Sequence, residues 1–209
     1  MMGIERKGKD MRKELPYFKV GASYGGNQNG YADPWMKRAG CAATTACELS
    51  IYLAKYCHLS CLCPFNPANQ ITQKDYNSFG KQMKPYLPPC YTGVDKLETY
   101  QAGLCHYLTD HGVNLAVQPW EGSKSLAETA EVVKQQIDKG IPIPCLVLKH
   151  RAPSMSSYVW HWFMLTGYEF EENTYKVKTV TYGHWHWVDL QTLWQTGYRR
   201  KGGLMILSA

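Results

Sequence analysis

The chain has 209 residues, 44% of them hydrophobic and 19% charged, which suits one sizeable core and excludes a disordered segment. Its formal net charge of +6 comes partly from two basic ends (Arg6, Lys7, Lys9, Arg12 and Lys13; then Arg199, Arg200 and Lys201) rather than one continuous face. That pattern argues against a nucleic-acid partner.

No stretch reaches the roughly 20 apolar residues of a membrane helix, so no membrane partner is expected. The segment MMGIERKGKDMRKELP has neither an apolar core nor a cleavage site for export, so the sequence predicts a cytoplasmic location. Eight cysteines, at 41, 47, 57, 61, 63, 90, 105 and 145, then read as reduced thiols rather than a disulfide framework. Tyr 15 and Trp 7 against Phe 5 favour half-wet aromatic sites such as a binding groove.

Residues 14–40 are glycine-rich and read as loop, with the first cluster of basic residues taken as a solvated terminus. From 41 to 56 the run CAATTACELSIYLAKY holds no Gly or Pro, and Ala42, Ala46, Leu49 and Leu53 recur at three- and four-residue spacing. This predicts a buried helix whose small residues permit close packing. A loop with two prolines follows at 57–70. Helices are expected near 72–84 and 94–111, a short strand at 113–118, and an amphipathic helix at 123–139 capped by Ser123. From 140 onward the pattern becomes β: strands at 143–149, 158–167, 175–182 and 204–207, a turn at 170–173 and a short helix at 187–196. The plan is α+β in a single domain, with a mainly helical lobe to about residue 139, a mainly β lobe after it, and a cleft between them.

The chemistry-bearing residues lie at that junction. Cys41 follows Gly40 at a helix start, where unpaired N–H groups and the helix dipole favour the thiolate and would steady an oxyanion. His161 sits one residue into an apolar strand, and alternation puts it on one face with Phe163 and Leu165, toward the Cys41 helix. A base on a rigid strand facing a thiol at a helix start is what nucleophilic cysteine catalysis requires.

The strings GCAATTACELSIYLA, HWFMLTGYE and the later TYG resemble the papain-like cysteine peptidase superfamily. They are most similar to its bacterial branch related to bacteriocin-leader-processing peptidases, over about residues 20–196. The resemblance implies a papain-like fold with the nucleophile helix buried against an antiparallel sheet, Cys41 as nucleophile and His161 as base. It also implies an oxyanion donor in GGNQNG, Gln28 foremost with Asn27 and Asn29 as rivals. The expected third member, an Asp or Asn, is replaced. Thr181 or Val180 stands there, only Thr181 can accept from the ring, and the nearest carboxylate, Asp189, falls in the following helix. The implied reaction is hydrolysis or acyl transfer on a peptide or amide bond, with no cofactor. The alternative is a papain-fold binding protein that has lost efficient catalysis.

Two further clusters remain. Cys57, His58, Cys61 and Cys63 could hold zinc, but the one-residue gap between Cys61 and Cys63 is tighter than usual and a cysteine-rich packed loop is the preferred reading. His184-Trp185-His186-Trp187 suggests a hairpin whose aromatics wall the cleft beside His161 rather than a metal pair with His150. No metal ligands are assigned.

Overall fold

The computed structural model describes residues 11–171 and 174–208. Arg6, Lys7 and Lys9 lie outside the described residues, as does the second half of the turn expected at 170–173. Arg12 and Lys13 do not belong to a loose terminus: they sit in strand β1 (Met11–Glu14), hydrogen-bonded into the sheet.

A two-residue hairpin, β2 (Lys19–Val20) and β3 (Ser23–Tyr24), leads to two helices in succession, α1 (Pro34–Ala39) and α2 (Cys41–Tyr56). The first was expected as loop. Asp33 makes it a helix: its carboxylate accepts from the N–H groups of Trp35 and Met36, and Pro34 takes the first position. Gly40 alone separates the helices, and a Cβ there would lie 2.3 Å from the Met36 carbonyl oxygen. Only glycine lets α1 end and α2 begin within one residue. Gly40→Ala should therefore cost about 2 kcal/mol or more in urea unfolding, whereas an unchanged midpoint would mean the junction relaxes freely. Helix α2 is buried at every position from Cys41 to Ala54, as its small residues predict.

Next come α3 (Gln73–Met83), α4 (Leu97–Asp110), β4 (Ala116–Glu121) and α5 (Leu126–Asp138). Strand β4 starts three residues later than expected and passes through Pro119. An edge strand tolerates the missing N–H, and β9 is the neighbour β4 pairs with. Helix α5 is capped by Ser125 rather than Ser123, because Ser125 and Glu128 form a reciprocal capping box.

The sheet is completed by β5 (Ile143–Val147), β6 (His161–Glu171), β7 (Thr174–Thr181), β8 (His184–Asp189) and β9 (Gly203–Ser208), with α6 (Leu190–Trp194) between the last two. The single helix expected at 187–196 is thus split. Residues 184–189 pair with β7, and Asp189 turns the chain into α6 by accepting from Thr192 N–H.

Seven strands form one antiparallel sheet in the order β4-β9-β5-β6-β7-β8, with β1 beside the far half of β6. The architecture is α+β. Because β1 and β4 come from before residue 139, the sheet draws on both halves of the chain rather than on the second alone. On one face Trp162 stacks on Tyr100 of α4 at 4.0 Å, beside α2. On the other, Phe163 meets Tyr158, whose hydroxyl bonds Thr179 Oγ1 at 2.8 Å. Lys178 is buried, with Nζ donating to Glu14 and Tyr24. Among the described residues no helix is long and apolar enough to cross a membrane.

Candidate active site

Cys41, Gln28 and His161 line one cavity of about 460 Å³, walled further by Arg38, Tyr91, Trp160 and Tyr182. Three of the four site residues read from sequence therefore converge, and Thr181 joins them through the imidazole. Cys41 is 6% exposed and His161 5%. No hydrogen bond joins the thiol to the ring.

The route by which His161 reaches the cavity differs from the one alternation predicts. Its neighbour Trp162 occupies the face that meets α4 and α2, while Phe163 lies on the opposite face, its ring 6.2 Å from that of His161. His161 opens toward Cys41 because it is the first residue of β6, where the sheet ends. Trp160 just before it adopts φ 53°, a conformation rare for a bulky residue. This reversal delivers the chain into the strand, and Trp160 N–H donates to Leu148 O at 2.7 Å to fix it.

The ring is held from two sides. His161 Nε2 lies 2.6 Å from Thr181 Oγ1. Tyr182 stacks on the imidazole at 4.5 Å and 3° between planes, its hydroxyl 3.4 Å from Nδ1. Tyr182 and Gly183 form the two-residue turn between β7 and β8, with φ of 50° and 81°, a positive-φ pair matched to strand twist. Asp189 is elsewhere, at the far end of β8, engaged with Thr192. Val180 is fully buried and apolar. A neutral hydroxyl, not a carboxylate, orients this histidine.

The electrostatics overturn the expected thiolate. Burial pushes the Cys41 thiol above the ordinary cysteine range, against opposing hydrogen bonds from the N–H groups of Trp162, Ala42 and Cys41 itself. The helix-start effect is present but weaker than desolvation. Burial also lowers His161 from 6.5 to about 4. The resting pair is a neutral thiol beside a neutral imidazole.

Among the three rivals for oxyanion donor, Gln28 is the one on the cavity wall. Its Nε2 donates one hydrogen to Lys37 O at 3.3 Å, leaving the other uncommitted, and its Oε1 has no partner. Asn27 is occupied: it donates to Tyr182 O and accepts from Asn29 N–H. With Tyr24 N–H donating to Gly183 O, these bonds stitch the Gln28 loop to the hairpin tip that carries Thr181 and Tyr182.

Glu48, which the sequence reading passed over, anchors this loop from beneath. It lies fully within α2, and its Oε1 accepts from Gly26 N–H at 2.6 Å. Burial raises its carboxyl to about 8, despite that hydrogen bond. A lone carboxylate in a 16-residue helix otherwise free of acidic residues was the available signal.

The remaining clusters stay outside the site. His184, Trp185 and His186 are exposed on β8, and the cavity is walled instead by Tyr182, Trp160 and Tyr91. His150 is engaged structurally, with Nε2 on Thr192 O and Nδ1 accepting from Ala152 N–H. All eight cysteines are free, and among the described residues no group of three or more His, Cys, Asp or Glu is arranged to hold a metal ion.

Comparison with models of known families gives no match, and comparison with curated proteins gives none either.

Proposed function

We propose that the chain is a papain-fold cysteine hydrolase or acyl transferase acting on a peptide or amide bond, with Cys41 as nucleophile and His161 as base. The observation that carries this reading is the convergence on one cavity of Cys41 at the first position of α2, His161 at the first position of β6 and the Gln28 amide. Cys41 transfers its proton to His161 as sulfur attacks the carbonyl carbon. The oxyanion is met by the Cys41 N–H and the free hydrogen of Gln28 Nε2. His161 then protonates the leaving amine, and water or a second amine releases the acyl group.

Thr181 suits a neutral pair. A hydroxyl both donates and accepts, so it tolerates either imidazole tautomer, but it offers no charge to stabilise imidazolium. Slow turnover follows. Thr181→Asp should raise the cleavage rate about tenfold and move the acid limb of the pH profile upward from about 4; Thr181→Asn, which cannot shift that limb by charge, serves as the comparison. A rate that falls in both variants would show that the hydroxyl itself is needed.

The same neutral pair favours a second reading, a binding protein with vestigial chemistry. Digestion of a peptide library read by mass spectrometry separates the two. New termini made by the wild-type chain and not by Cys41→Ala support the hydrolase. Peptide retention without cleavage, equal in both proteins, supports the binding role.

A further inference from the structure

The cavity carries one formally charged side chain, Arg38. It lies in the last turn of α1, three residues before Cys41, and is exposed. Among the described residues its guanidinium makes no ion pair and donates no hydrogen bond. It lies over Tyr91, whose ring is 5.9 Å from the guanidinium carbon. Tyr91 is 84% exposed, so it braces the arginine without shielding it from solvent.

Arg200, which rests over Trp160 of the cavity wall, is different: it is committed to Asp95. Among the described residues the five guanidinium donors of Arg38 are therefore uncommitted, on the cavity that Cys41 also lines, in a planar fork that matches a carboxylate. No acidic side chain lines the cavity to neutralise it.

We propose that Arg38 is a specificity residue that selects acyl donors bearing a carboxylate close to the reacting carbon, making acidic peptides the preferred substrates. This rests on the reading of Cys41 as nucleophile. A fixed positive charge on the wall attracts the anionic group during approach and holds it by a two-pronged hydrogen bond once bound. Uncharged donors lack that contact. The neutral state of His161 above about pH 4 leaves Arg38 as the positive charge in the cavity when the enzyme works.

Iodoacetate and iodoacetamide test this without knowledge of the natural substrate. Both alkylate the thiolate by forming a C–S bond as iodide leaves, and they differ only in a carboxylate against an amide. The rate at Cys41 is measured for each near pH 9 by site-resolved mass spectrometry. The exposed Cys61 serves as the internal reference. The iodoacetate-to-iodoacetamide ratio at Cys41 should exceed that at the reference thiol by about three- to tenfold, shrinking as salt is added. Arg38→Gln should bring the ratio down to the reference value, and Arg38→Lys should retain most of it. If both reagents label Cys41 with a ratio indifferent to Arg38→Gln, the specificity role is wrong and the nucleophile reading stands. If neither reagent labels Cys41 in folded protein, the cavity does not present a usable thiol and both readings fall.

Discussion

Alkylation of Cys41 should accelerate with pH beyond pH 9 instead of levelling off in the neutral range. Thiolate is the reacting species, and burial holds the Cys41 thiol above the ordinary range while lowering His161 to about 4. At pH 7 the neutral thiol therefore predominates. An ion-paired site would behave oppositely, with a reactive plateau beginning at the depressed thiol value and extending through neutrality. The expected contrast between pH 6 and pH 9 is about two to three orders of magnitude in rate, measured with iodoacetamide. Exposed Cys61 and Cys90 should outpace Cys41 at neutral pH. A pH-independent rate between 5 and 8 would show that the pair is ionised after all.

The second large effect is on stability. Glu48 is raised in the folded chain from 4.5 to about 8, so its contribution is fully present below pH 4.5 and is lost as pH rises through 8. Across that interval the loss approaches about 5 kcal/mol. His161 acts with the opposite sign. Lowered from 6.5 to about 4, it contributes fully above pH 6.5 and loses about 3 kcal/mol as pH falls to 4. Between 4.5 and 6.5 the two slopes offset one another. Unfolding free energy should be nearly flat there and decline by about 2 kcal/mol from pH 6.5 to 8, where Glu48 acts alone. Glu48→Gln keeps an acceptor for Gly26 N–H and removes the titration, so its urea midpoint should not fall over that alkaline interval. A wild-type chain equally stable at pH 6.5 and 8 would contradict the buried-acid account.

These effects mark the boundary of what the sequence could carry. Helix α2 was legible to the residue, because sixteen positions without Gly or Pro and a run of small apolar side chains admit few alternatives. Cys41 and His161 were legible as a pair for the same reason: each is a polar oddity at the edge of an apolar element. Thr181 beside the imidazole followed from strand pairing across β6 and β7.

The direction of the thiol shift was not legible. It depends on a competition between desolvation and backbone hydrogen bonds, one of them from Trp162, 121 positions away in the chain, and no local pattern encodes that balance. The face of His161 was misjudged because alternation describes a strand interior, whereas the residue sits at its first position after the left-handed Trp160. Arg38 was missed because α1 itself was read as loop, its start set by the Asp33 cap rather than by periodicity.

The central claim is that Cys41 attacks a carbonyl with His161 as its base, and an activated acyl ester tests it most directly. The protein is mixed with a peptidyl nitrophenyl ester and quenched at intervals, and the acyl mass is mapped by tandem mass spectrometry. The expected result is transient acylation at Cys41, absent in Cys41→Ala and slowed about 10²- to 10⁴-fold in His161→Ala. Acyl mass confined to another cysteine, or a His161→Ala rate equal to wild type, would contradict the assignment.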